Sequence, residues 1–179
     1  MLNIVDQIIF NFSNNKSLYI GEDLTMSEHM IQTAMIAERN KCSDDLICSS
    51  LLHDYGHFVT ENPNQLVSDK VDGRHEIVGA NYLKNFFHHK IIEPILLHVD
   101  AKKYLSRNKE YFNSLSDASK ISLKLQGGVM NDLDAKKFEQ NKNYENAIKL
   151  RRFDEGAKQK NIKIKKIEDY KVLLSSKII

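Results

Sequence analysis

Six imidazole and carboxylate groups stand on apolar helical faces or at their ends: His29, His53, Asp54, His75, His98 and Asp154. His53-Asp54 follows directly on Leu51-Leu52, and burying a carboxylate beside an imidazole is costly unless each is paired or binds a metal. His29 lies inside the stripe Met26, Met30, Thr33, Ala34 and Ala37, while His98 closes the run Ile91–Leu97 and His75 opens a helical segment. Asp154 shares a helical face with Ala147, Ile148 and Arg151. A single such histidine is ordinarily a hydrogen-bonded core residue, and Asp154 alone an ordinary salt-bridged acid. Several helices each contributing one or two of them is the way helical bundles build metal sites. Imidazole and carboxylate without thiolate suit iron, manganese or zinc. Four histidines and two aspartates exceed the needs of one tetrahedral ion; they match two ions that share a carboxylate and keep positions open for substrate.

Cationic groups accompany these ligands at helical spacing. Lys102 is four residues beyond His98, Arg151 three before Asp154, and His57 four beyond His53, so each lies about one turn from a ligand. Taken singly, Lys102 and Arg151 could simply balance surface acids. Converging on a dimetal centre they form an anion clamp, in which Arg supplies a planar fork of donors and Lys a point charge. Phosphate or phosphonate fits such a clamp better than a neutral sugar. His88-His89, at a helix end behind Phe86-Phe87, reads as solvent-facing, Tyr104 and Tyr111 read as packing residues, and Asp117 either caps its helix or orients Ser119.

Helices must position all of this. Period-3.6 patterning runs nearly throughout, without a convincing period-two stretch. Thr25-Met26-Ser27-Glu28 has the form of a capping box, and Ser43-Asp44-Asp45 opens a second helix that Gly56 is expected to loosen at its end. Further helices are predicted over about 75–87, 91–105, 116–125, 134–140 and 143–156, with a short last one over Ile167–Leu174; Pro94 belongs in a first turn or at a kink. Gln126-Gly127-Gly128 stops the third of these, and residues 60–74 read as a loop. The expectation is a single all-α domain over 1–179, in which 155–179 is a basic extension with seven Lys against three acids.

Composition narrows the function. The chain has 179 residues, 41% of them hydrophobic and 28% charged, with a formal charge of +2. That is one domain's length, with a core large enough to need no disulfide, and the charge is too balanced for a nucleic-acid footprint. No apolar run approaches a membrane span, and the opening segment, with Asp6 in its apolar run, reads as an amphipathic helix rather than a signal peptide. Cys42 and Cys48 match no metal or redox spacing and read as free thiols, so the expected location is cytoplasmic.

His29, then His53-Asp54, then Asp154 resembles the H…HD…D signature of the HD-domain superfamily, and His75 and His98 fall where its dinuclear members carry two further histidines. Tyr19-Ile20-Gly21-Glu22, Leu51–His57, Leu115–Ser119, Gln126-Gly127-Gly128 and Leu150–Lys158 are similar to the PhnZ-type HD-domain mixed-valent diiron oxygenases, the 2-amino-1-hydroxyethylphosphonate dioxygenase family. The likeness covers about 19–158. It implies an HD-domain helical bundle with a buried dinuclear site. One iron is held by His29, His53, Asp54 and Asp154; the second is held by His75 and His98, with Asp54 bridging. It further implies that Tyr19 caps the second iron at rest and moves aside with Glu22 when substrate arrives, and that His57, Lys102, Ser119 and Arg151 meet the phosphonate. Tyr19, Glu22 and His57 are then the catalytic side chains, two Fe ions in the Fe(II)/Fe(III) state the cofactor, and O2 the co-substrate. The implied reaction cleaves the C–P bond of a 1-hydroxyalkylphosphonate to phosphate and a carboxylic acid, and the implied partner is that small organophosphonate. A metal-dependent phosphohydrolase or phosphodiesterase on the same ligands is the alternative, though it leaves Tyr19 and Glu22 without a task. A non-catalytic metal-dependent sensor is a third reading, under which the cationic groups are dispensable.

Overall fold

The computed structural model describes residues 3–19, 23–60 and 72–179. Glu22 and most of the predicted 60–74 loop lie outside the described residues. All elements described are helical: α1 (Ile4–Asn14), α2 (Met26–Arg39), α3 (Asp44–Leu52), α4 (Gly56–Val59), α5 (His75–Leu83), α6 (His89–Leu105), α7 (Lys109–Ser114), α8 (Asp117–Leu125), α9 (Asp132–Glu139), α10 (Tyr144–Gly156), a 3-10 turn over Ile167–Tyr170 and α11 (Lys171–Ser175). Among the described residues there is no strand, only the isolated bridges Leu18–Thr25 and Phe87–Ile178.

The helix starts follow local chemistry. Thr25 and Glu28 form the capping box reciprocally, Thr25 Oγ1 accepting from the Glu28 amide and Glu28 from the Thr25 amide, which satisfies two of the amides a helix start leaves orphaned. Asn3 and Ser43 cap α1 and α3 through their side chains. At α8 the cap is Ser116, whose hydroxyl accepts from the Ser119 amide; Asp117 is the first helical residue. α1 buries Val5, Ile8 and Phe12, the i, i+3, i+7 face of an amphipathic helix.

α6 is the spine, with α3, α5 and α10 packed along it, and α2 packs across α3 and α10. Ile8, Met30, Leu51, Leu52, Leu83, Ile91 and Ile95 make the centre of the main core, joined by Tyr170 and Leu174 from the chain's end. Tyr55 is fully buried, and its hydroxyl accepts from Asn11 Nδ2 at 2.8 Å, the polar partner a buried phenol requires.

Three expectations are corrected. α6 starts two residues earlier than predicted, so Pro94 sits in its second turn. α5 stops at Leu83, four residues short of the prediction, and Phe87 turns to pair with Ile178. Gly56 does not loosen α3, which ends at Leu52. It opens α4 against α5: a Cβ on Gly56 would stand 2.0 Å from the His75 carbonyl oxygen, and one on Gly79 would stand 2.8 Å from the Gly56 nitrogen. The two glycines let the helices meet backbone to backbone. The basic extension after α10 carries the expected short helical end and is tied to the bundle. Gln32 and Gln159 exchange hydrogen bonds of 2.9 and 3.0 Å between side chain and backbone, strapping the chain to α2.

Candidate metal centre

Two clusters of buried ligand atoms lie side by side: His29, His53 and Asp154, and next to them Asp54, His75 and His98. α2 supplies His29, the end of α3 supplies His53 and Asp54, and α5, α6 and α10 supply one residue each. All six therefore meet across five helices. Asp54 faces both clusters with separate oxygens. Its Oδ2 lies 3.4 Å from His53 Nε2 and 3.8 Å from His29 Nε2, while its Oδ1 lies 3.2 Å from His75 Nε2 and 3.6 Å from His98 Nε2.

The proton positions show what the clusters are built for. His29 Nδ1 lies 3.0 Å from the Ala157 carbonyl, His53 Nδ1 2.9 Å from that of Ser50, and His98 Nδ1 2.6 Å from that of Ile95. A carbonyl only accepts, so each Nδ1 carries the hydrogen and each neutral ring aims the lone pair of Nε2 inward. His29 and His53 then bring two such nitrogens within 3.3 Å, and His75 and His98 bring theirs within 3.1 Å. Asp154 Oδ1, buried and without any hydrogen-bond partner, points at the first pair, 3.2 Å from His29 Nε2. Lone pairs converging in a dry site repel unless a cation sits among them. The donor set of imidazoles and carboxylates thus fits metal ions, and no thiolate is present to favour a structural zinc site.

Electrostatics agree. Burial works against a charge on His53, but Asp54 and Asp154 win and push it up to about 9. Asp54 and Asp154 resist burial and are held well below the usual carboxylate range, Asp54 by His53 and His75, Asp154 by Arg151 and His29. Without an ion, a proton takes the cation's place.

The predicted anion-binding residues border both clusters, Arg151 and Ser119 beside the first and His57 beside the second. Lys102 is buried and donates to Ser122 Oγ at 2.9 Å; burial first, and the Arg151 charge second, lower it to about 7. Arg151, also buried, pairs with Asp154 and Glu155 and donates from Nε to the Tyr111 hydroxyl at 3.0 Å. Ser119 Oγ stands 3.5 Å from Arg151 Nη2 and 2.9 Å from Lys158 Nζ. His57 stacks on His75 with ring centroids 4.5 Å apart, and burial, reinforced by the His75 charge, lowers it to about 3. His57 is consequently a neutral donor, and the charge in the clamp belongs to Arg151 and Lys102.

Tyr19 lies flat on His29, with centroids 3.9 Å apart and an angle of 16°. Burial, then Asp154 and Asp54, raise its phenol well above the usual value. The ring contact of Tyr19 is thus with a residue of the first cluster, whereas the resemblance assigns it to the second. Glu22 lies outside the described residues.

Sequence reasoning missed four neighbours of this site. Tyr111, read as a packing residue, accepts from Arg151. Glu155 pairs with both Arg151 and Lys158, and its position four residues after Arg151 was the available signal. Lys158 Nζ reaches Ser116 and Ser119 and lies 5.9 Å from the Tyr19 ring centre, while Ser122 is held by Lys102. His88 and His89 are exposed as expected, and Tyr104 packs on Phe138 with centroids 5.2 Å apart.

Comparison with known proteins places the chain. The HD domain family model matches residues 26–149. The hydroxymethylphosphonate dioxygenase of Gimesia maris is 42% identical over 156 residues, which cover 85% of this chain and 77% of that protein. The [1-hydroxy-2-(trimethylamino)ethyl]phosphonate dioxygenase (glycine-betaine-forming) of Leisingera caerulea is 46% identical over 142 residues, covering 79% and 72%. An uncharacterized protein of Acanthamoeba polyphaga mimivirus is 32% identical over 183 residues, covering 96% and 84%. No helix among the described residues is long and apolar enough to cross a membrane. With its H…HD…D ligands gathered at the meeting point of five helices, the chain belongs to the HD-domain family and, within it, to the group that holds the phosphonate dioxygenases.

Proposed function

We propose that this protein is a dioxygenase that cleaves the C–P bond of a 1-hydroxyalkylphosphonate, using O2 and two iron ions held in the Fe(II)/Fe(III) state. The observation that carries the reading is Asp54, whose two oxygens face two separate clusters of possible ligands near the buried cations Arg151 and Lys102. His29, His53, Asp54 and Asp154 would hold one ion, and Asp54, His75 and His98 the other. The overall change is balanced: the hydroxyphosphonate and O2 yield one carboxylic acid and one phosphate, and both oxygen atoms enter the products. The bound ions supply the redox chemistry and the binding of O2.

The protein's own groups hold the substrate and keep the site dry. Arg151 and Lys102 draw the phosphonate dianion, and Ser119 and neutral His57 donate hydrogen bonds to its oxygens. Glu155 and Asp154 fix the Arg151 guanidinium before the substrate arrives, so little ordering is left to binding. A dianion beside Lys102 restores its proton, so binding above about pH 7 takes a proton up. Tyr19, lying on His29 next to Lys158, covers the centre and must shift if the resemblance is followed and it ligates an ion at rest. The test is phosphate release from hydroxymethylphosphonate, 2-amino-1-hydroxyethylphosphonate and its trimethylammonio analogue by iron-loaded protein, with and without O2. Release that requires O2 is expected from at least one. Oxygen-independent cleavage of a phosphoester, with all three phosphonates untouched, would replace the reading with hydrolysis.

A further inference from the structure

Three of the four centre histidines give the Nδ1 hydrogen to a backbone carbonyl; His75 does not. Its Nδ1 faces a side chain instead, Glu76 Oε2 at 3.8 Å. Glu76 is only 7% exposed, and that same Oε2 is buried without a hydrogen-bond partner. An orphaned carboxylate oxygen in such a place is expensive. An acid in the first turn of α5 suits the helix dipole, but the dipole acts equally well on an exposed acid and does not explain burial beside a ligand.

We propose that Glu76 is a positioning residue for the second ion: its carboxylate accepts the Nδ1 hydrogen of His75, fixing the tautomer that presents Nε2 and making that ring a stronger donor. This rests on the metal reading above. The gap of 3.8 Å is about one ångström beyond a hydrogen bond, and a small turn of the Glu76 side chain closes it once an ion draws the imidazole into place. The surroundings hold the pair in register. Gly56 and Gly79 bring the start of α5 against α4, and the His57 ring lies flat on His75, so the imidazole has little room to present its other nitrogen. Among the described residues the first cluster has backbone carbonyls and no such carboxylate behind its histidines, so the electronic control falls on one ion only.

The test is anaerobic titration of the metal-free protein with manganese(II), resolving two affinities by chelator competition, for wild type, Glu76→Gln and Glu76→Ala. The expected result is second-site binding weakened about 10- to 100-fold with first-site affinity within about twofold and an unchanged metal-free melting temperature. The zinc-loaded wild type should also show a strongly hydrogen-bonded imidazole N–H in proton NMR, assigned to His75 by its loss in His75→Ala, which moves upfield in Glu76→Ala. Two unchanged affinities in both variants, or a lowered metal-free melting temperature with unchanged affinities, would overturn the proposal and leave Glu76 a helix-start acid. A wild type that binds no second ion would overturn the two-ion reading itself, a result distinct from either.

Discussion

The two halves of the metal centre are built to different standards of enclosure. The first cluster is sealed: His29 and His53 are fully buried, Asp154 nearly so, and each is backed by a rigid group, two backbone carbonyls and the Arg151 guanidinium. The second is looser. The His75 side chain is 14% exposed, its Nδ1 faces the Glu76 carboxylate across 3.8 Å, and His57 stacks on its ring. A centre with one closed and one accessible position can keep its first ion while small molecules exchange at the second. The difference teaches that the centre is more open at the start of α5 than where α2, α3 and α10 meet.

Asp54→Ala has the largest expected effect because Asp54 alone belongs to both halves. The variant should lose both ions by elemental analysis of the purified protein and have no detectable C–P cleavage; two retained equivalents would break the bridging assignment. Next come single ligands. His75→Ala should keep one ion and a metal-free melting temperature near wild type, whereas His29→Ala should lose the first ion and destabilise the fold, since the Ala157 carbonyl would be left without its donor. Equal losses in the two variants would erase the contrast between the halves.

The cationic pair sharpens the contrast further. Arg151→Met should raise KM for the phosphonate about 100-fold or more and weaken the first ion as well, because Asp154 and Glu155 lose their partner. Lys102→Met should raise KM about tenfold and leave metal content alone. Lys102 is lowered to about 7, so wild-type kcat/KM should fall as pH rises above that value, and the variant should lack this limb.

The smallest effect is on metal-free stability. His53, raised to about 9, stabilises the fold fully below its unfolded value of about 6.5, and that contribution disappears as pH rises through 9. Lys102 titrates with the opposite sign, its lowered value making the fold gain stability as pH rises from about 7 toward 10.5. The clean measurement is urea unfolding of metal-free Lys102→Met at pH 6.5 and 9, with lower stability expected at the higher pH and the difference absent once metal is bound. An unchanged midpoint would mean that the first cluster does not hold a proton in place of its ion.

The residues of the two clusters were legible because most betray themselves locally, as polar groups in or at the end of an apolar stripe at helical spacing. The capping box at Thr25 and the start at Ser43 were legible for the same reason, since their partners lie three residues away. What escaped depends on distant partners. Tyr111 meets Arg151 forty residues on, and Lys158 reaches Ser116 across forty-two, pairings that no window of sequence displays. Glu76 stands next to a ligand and still went unread, because an acid in a first helical turn is ordinary and only its burial makes it unusual. Gly56 was read as a helix breaker, since a glycine's sequence neighbours do not reveal the carbonyl that crowds it from another helix. The structure sets the six His and Asp residues in two adjoining clusters, with Arg151 on Asp154, Tyr19 on His29 and His57 on His75, while Glu22 lies outside the described residues.

The strap that follows α10 has a consequence for how the protein is made. The Ala157 carbonyl that fixes His29 lies 128 residues downstream of it, and Asp154 is delivered only shortly before. Chains grow from the N-terminus, and local helices form as they emerge, so α2 and α3 exist long before their last ligand. On the ribosome a nascent chain can offer His53 and Asp54 to stray ions but cannot close the first site around any of them. The first cluster therefore closes only after α10 has been made, whereas the residues of the second all lie before position 99 and are present well before it.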